Sequence, residues 1–210
     1  MERVLVVAKT HMGNAACVGG LTRDTNKSIR LLRPDRSNQP INTPFDVGQV
    51  WELEFYQSPQ VTPPHVEDVI VTSERYIGLQ ANLRTILMQR VEPWQGGPKA
   101  LFDGLLVFEN MRGYISKSTG IPKNSTGYWC PDRSLTLTYR NEKLYYQMKY
   151  DIFVGHNRYE GTLFIPYVGF SEPIQQISTN ALVRVSLARW WTPPGVNEER
   201  CYLQLSGWYL

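Results

Sequence analysis

The hexapeptide Val50-Trp51-Glu52-Leu53-Glu54-Phe55 alternates without a break, with Trp51, Leu53 and Phe55 on one side and Glu52 and Glu54 on the other. A period of two over that length marks a strand with one face buried and one in water. Short runs of strand composition flank it at Val4–Ala8, Ala16–Leu21, Ile29–Leu32 and Val66–Thr72. They are separated by turn residues such as Asp24-Thr25-Asn26, whose side chains bond their own backbone. Five such strands as an open sheet would leave exposed edges, so the expectation for residues 1–78 is a small closed barrel.

Between Leu79 and Val91 the period changes, and Leu79, Leu83, Ile86, Leu87 and Val91 recur near the helical spacing until Pro93 ends the run. Gly96-Gly97-Pro98 then reads as a connector, so residues 79–104 are expected to form a helix and linker. Strand chemistry returns over 105–210. Leu135–Tyr139 and Leu144–Tyr150 flank Arg140-Asn141-Glu142-Lys143 as a hairpin with a four-residue loop, and Thr162–Ile165, Leu182–Leu187 and Tyr202–Trp208 add further strands. Ser171-Glu172-Pro173 has the form of a cap and first turn for a short helix ending before Asn180. The fold class that follows is mainly β, with two small antiparallel OB-like barrels joined by a helix.

A chain of 210 residues, 42% hydrophobic and 20% charged, is globular and long enough for two small domains. No stretch approaches the roughly 18 apolar residues of a membrane span, so no membrane partner is expected and the cytoplasm is the expected location. Cys17, Cys130 and Cys201 are odd in number and widely spaced, which argues against a disulfide framework and a zinc knuckle. His11, His65 and His156 lack a second ligand at metal spacing, and neither GxxxxGK[ST] nor GxGxxG occurs. No metal and no cofactor are expected. The alternative to a purely binding role is a nucleotide sensor or enzyme around Lys9, His11 and Cys17, where a base beside the thiol would activate it.

The net charge of +3 conceals a pattern. Residues 1–40 carry seven Lys or Arg against three acids, whereas residues 41–80 carry one against six, so the two segments should attract each other. From Arg112 to Arg158 eight bases face three acids, and Tyr114, Tyr128, Trp129, Tyr139, Tyr145, Tyr146, Tyr150 and Phe153 are interleaved among them. Single-stranded nucleic acid needs both components, cations for the phosphates and ring faces for the bases. The expected phosphate contacts are Arg112, Lys117, Lys123, Arg133, Arg140, Lys143 and Lys149; the expected stacking rings are Tyr128, Trp129 and Tyr145. Alternation sends Leu144, Tyr146, Met148 and Tyr150 inward, leaving Tyr145, Gln147 and Lys149 on a face that Arg140 or Lys143 can share.

Val4-Leu5-Val6-Val7-Ala8-Lys9-Thr10, then Cys17-Val18-Gly19-Gly20 and Ile29-Arg30-Leu31-Leu32, resemble the N-terminal barrel of the dual OB-containing domain family of bacterial proteins. Phe45-Asp46-Val47-Gly48-Gln49-Val50-Trp51 resembles the way that family begins its next strand. Val183-Arg184-Val185-Ser186-Leu187 with Cys201-Tyr202-Leu203-Gln204-Leu205 resembles its closing hairpin. The resemblance implies a nucleic-acid or nucleotide binder in a conflict or repair setting and carries no catalytic residue set. The function expected is therefore non-catalytic binding of single-stranded or structured DNA or RNA, as an accessory of a bacterial defence or repair system. A protein-interaction subunit of a nuclease or helicase complex is the alternative, because aromatic and Arg enrichment suits protein partners equally.

Overall fold

The computed structural model describes all 210 residues, which divide into two compact units, Met1–Val91 and Glu92–Leu210. The first unit contains β1 (Glu2–Met12), β2 (Ala15–Thr22), β3 (Ser28–Leu32), the two-residue β4 (Gln39–Pro40), β5 (Gln49–Gln57), β6 (Asp68–Leu79) and α1 (Leu83–Met88). β1 pairs antiparallel with both β2 and β5, β2 with β3, and β5 with β6, while β3 and β6 run parallel and close the barrel. Each strand thus has two neighbours, and the five-stranded ring has no free edge. Val4, Val6, Val18, Ile29, Leu31, Trp51, Leu53 and Val69 fill it. Gly20 is required here: a Cβ would meet Val4 Cγ1 at 2.5 Å. The expected attraction between residues 1–40 and 41–80 is realised as ion pairs, Lys9–Asp46 at 2.8 Å, Arg30–Asp68 at 2.5 Å and Arg3–Glu52 at 3.5 Å.

The helix is shorter than its sequence spacing predicts. β6 runs on to Leu79, which pairs with Gln49 and is exposed, and Asn82 in the left-handed region delays the helix start. Leu87 alone of its residues is fully buried.

The second unit contains β7 (Trp94–Gly96), a 3-10 turn at Pro98–Gly104, β8 (Val107–Glu109), β9 (Arg112–Ser116), β10 (Thr126–Pro131), β11 (Leu135–Arg140), β12 (Lys143–Val154), β13 (Asn157–Pro166), β14 (Gln176–Ile177), β15 (Leu182–Leu187) and β16 (Arg200–Tyr209). One sheet has the order β7-β10-β15-β16-β9-β8 and the other β13-β12-β11-β14. β10 and β11 are consecutive pieces of one path that changes sheet at Asp132-Arg133-Ser134, while Tyr167, just past β13, bridges parallel to Leu205 of β16. The strand relations of the first barrel recur in this unit: β10–β15, β15–β16, β11–β12 and β12–β13 antiparallel, with a parallel link from the end of β13 to β16. Trp129, Leu135, Tyr146, Met148, Leu163, Ile165, Val183, Val185 and Leu203 form its core.

Three local expectations are corrected. Trp94–Gly96, part of the expected linker, is a strand parallel to β10, and the Trp94 indole packs where a side chain on Gly127 would stand. The hairpin between β11 and β12 turns on only Asn141 and Glu142, both at positive φ, the two-residue geometry that matches strand twist. Ser171–Asn180 forms no helix, because tertiary bonds hold it extended. Tyr146 Oη donates to the Ile174 carbonyl at 2.8 Å, Leu137 N donates to Gln175 O, and Ile177 pairs with Leu135.

Candidate nucleic-acid interface

β11, β12 and β13 present one outward face by their register. Arg140 lies opposite Lys143, Thr138 opposite Tyr145, Thr136 opposite Gln147, and Gln147 in turn opposite Phe164. Residues directly opposite one another share a side of the sheet, so Arg140, Lys143, Tyr145, Gln147, Lys149 and Phe164 all point the same way. Tyr146, Met148 and Tyr150 take the other side and are buried, as the alternation predicts. The Arg140 guanidinium stands 4.3 Å from the centroid of the Phe164 ring. That contact places a cation against an aromatic face next to the turn of the β11–β12 hairpin.

Further along the same face the charges pair. Arg133 donates to Asp151 at 2.6 Å, Arg158 meets the same carboxylate at 3.0 Å, and Lys149 meets Glu160 at 3.1 Å. Burial alone would raise the Asp151 carboxyl, but the bonds from Arg158 and Arg133 outweigh it and hold the group below its ordinary value of 3.8. Lys117 pairs with Glu199 at 2.5 Å and lies 5.4 Å from the Trp190 ring. Arg112 lies 4.2 Å over the ring of Tyr202, in a cluster where Arg200 covers Tyr114 at 3.9 Å and pairs with Glu109. Lys123 and Lys143 are exposed and form no ion pair. The structure therefore brings Arg140, Lys143, Tyr145 and Lys149 together and joins Arg133 to them through Asp151 and Glu160. Arg112 and Lys117 belong instead to the β9–β16 region.

Two of the three expected stacking rings are corrected. Trp129 is completely buried and its indole N–H donates to the Gly96 carbonyl at 2.8 Å; Tyr128 is 4% exposed. Neither offers a face to a base. Tyr145 is half-buried and does. Phe164 was missed as a partner for Arg140, although burial of Leu163 and Ile165 on either side of it implies by alternation that it faces outward.

The grouping of Lys9, His11 and Cys17 is also corrected. In the β1–β2 hairpin Cys17 lies opposite Thr10, so it occupies the other face from Lys9 and His11. Lys9 is held by Asp46 at 2.8 Å and by the Thr43 carbonyl at 3.2 Å. No base stands beside the thiol by this register.

A closed antiparallel barrel with one parallel strand pair, beside a second unit whose two sheets repeat the same strand relations, is consistent with a protein of two OB-like barrels. The chain belongs to the dual OB-containing domain family, whose profile matches residues 2–208. Among solved structures, the Ifi202 HINa domain in complex with 20bp dsDNA is similar at 8% identity and a TM-score of 0.32, over 97% of this chain and 88% of that one. No curated protein matches the chain significantly. No helix is long and apolar enough to cross a membrane.

Proposed function

We propose that this chain is a non-catalytic nucleic-acid-binding protein that lays a single strand across the outward face of β11, β12 and β13. Membership of a family of OB-containing domains supports the class, since OB barrels commonly present a strand face and adjoining loops to oligonucleotides. The observation that carries the reading is the Arg140–Phe164 stack at 4.3 Å, beside Lys143 and Tyr145 on one sheet face. In this reading Lys143 meets phosphates, the guanidinium of Arg140 and the ring of Tyr145 stack on bases, and Arg133 and Lys149 keep the face ordered through Asp151 and Glu160. The bacterial setting and an accessory place in defence or repair follow from the family resemblance.

A second reading, docking of a protein such as a nuclease or helicase, is favoured by the far end of the β12–β13 hairpin. Phe153, Val154 and Tyr159 there are each more than half exposed. Fluorescence anisotropy of a labelled oligonucleotide, titrated at several salt concentrations, separates the two. Strand binding weakens steeply with salt and falls further in Lys143→Ala, whereas an apolar protein dock leaves the oligonucleotide unbound at any salt.

A further inference from the structure

The first unit holds a cleft of about 240 Å³ on the outer wall of its barrel. Val4, Val6, Trp51 and Leu53 point into the barrel core, so by alternation Arg3, Leu5 and Val50 point outward, and Leu5 and Val50 form the apolar floor of the cleft with Ile86 of α1. Its polar lining comes from Arg3, Arg23, Arg90 and Gln80, with no Asp or Glu among the lining residues. Arg90 is fixed in place by bonds to the carbonyls of Thr22 and Arg23, at 2.8 and 2.6 Å, and to Asn26 Oδ1 at 2.9 Å. Arg3 shares Glu52 with Arg75, so that one carboxylate offsets two cations. Arg23, in the turn between β2 and β3, forms no ion pair.

We infer that this cleft binds a phosphomonoester carried on a small apolar or planar body, as in a nucleoside 5′-monophosphate. Concentrating arginines around an apolar floor is costly without an anion, because like charges repel across a recess that excludes part of the solvent. A terminal phosphate carries close to two negative charges and several acceptor oxygens, which match the forked donors of arginine better than a single carboxylate does. The volume corresponds to about eight waters of the bulk liquid, enough for a phosphate with its sugar while the base rests at the mouth. The same group occurs on a free nucleotide and at the 5′ end of a strand. The inference is independent of the sheet face proposed above, which lies in the other unit.

The test is isothermal titration of the full chain with adenosine 5′-monophosphate, adenosine, and an oligothymidylate with and without a 5′-phosphate. Binding of the monophosphate but not of adenosine, weakened about tenfold or more by Arg23→Ala, supports the inference with a free nucleotide as the source. A gain in affinity on adding the 5′-phosphate to the oligonucleotide, lost in the same variant, supports it with a strand end as the source. Arg23 is exposed and outside the core, and circular dichroism checks that the variant folds. Equal behaviour of phosphorylated and unphosphorylated ligands, or phosphate-dependent binding that Arg23→Ala and Arg3→Ala both leave intact, overturns it. A mononucleotide is too short to span the β11–β12–β13 face, so failure here is distinct from failure of the strand reading.

Discussion

Replacing Trp129 by alanine separates a structural ring from a binding ring. The side chain is fully buried in the core of the second unit and its indole N–H bonds the Gly96 carbonyl at 2.8 Å. Truncating a buried Trp costs about 3–5 kcal/mol from lost transfer energy and the cavity left behind. The orphaned carbonyl adds to this where water cannot reach it. Against a total stability of roughly 5–15 kcal/mol, that loss lowers Tm on the order of 10–20 °C. Tyr145→Ala removes a half-buried ring from the outward face and should cost less than about 1.5 kcal/mol of stability. In binding the order reverses: losing one stacking ring weakens a single-strand complex by about 1–3 kcal/mol. Thermal unfolding followed by circular dichroism, with anisotropy measured well below both midpoints, reads the two quantities separately. If Trp129→Ala keeps its Tm and loses affinity, the ring is a stacking platform and its burial is not the operative state.

Lys143 forms no ion pair whereas Lys149 meets Glu160, so Lys143→Ala should lower the slope of log K against log salt by about 0.7, and Lys149→Ala by less, in the same anisotropy titrations. The Asp151 carboxyl is held below its ordinary 3.8 in the folded protein. Its contribution to stability is thus present above that value and lost as pH falls through the lower folded value; the stability gap between wild type and Asp151→Asn should persist at pH 7 and close in acid, by urea unfolding at each pH. Burial pushes the Cys201 thiol up to about 12, while Cys17 and Cys130 are partly exposed. Thiol labelling of the native protein should therefore modify Cys17 and Cys130 well before Cys201, and all three after denaturation without reductant, as read by mass spectrometry.

The first barrel is legible in two ways: Val4–Ala8 of β1, buried on both faces, reads as a continuous apolar run, while β5, buried on one face, writes a period of two into the sequence. The interface is legible where the same condition holds: the alternation of β12 assigns Tyr145 and Lys149 outward and Tyr146 and Met148 inward, as observed. Trp129 fails because β10 is covered on both sides, with Tyr128 and Trp129 both buried, so no periodicity separates inner from outer. The positive charge of residues 112–158 is overstated in the sequence because two of its neutralising carboxylates, Glu160 and Glu199, lie beyond that window and reach it only through folding. Ser171–Asn180 carries a helix-start pattern, but the Tyr146 hydroxyl and the pairing of Ile177 with Leu135 claim its backbone. Local propensity yields to tertiary hydrogen bonding there. The Arg3, Arg23 and Arg90 cleft has no contiguous signal at all, since its residues come from strands and a helix far apart in the chain.

The most direct test of nucleic-acid binding is the affinity of the purified, nucleic-acid-free chain for a fluorescent single-stranded oligonucleotide from low to physiological salt. The account predicts saturable binding at low salt, a linear fall of log K with log salt, and a weaker complex for the double variant Arg140→Ala, Lys143→Ala with its fold intact. Absence of binding to both DNA and RNA at low salt, where non-specific attraction is strongest, or binding that the double variant leaves unchanged, contradicts it.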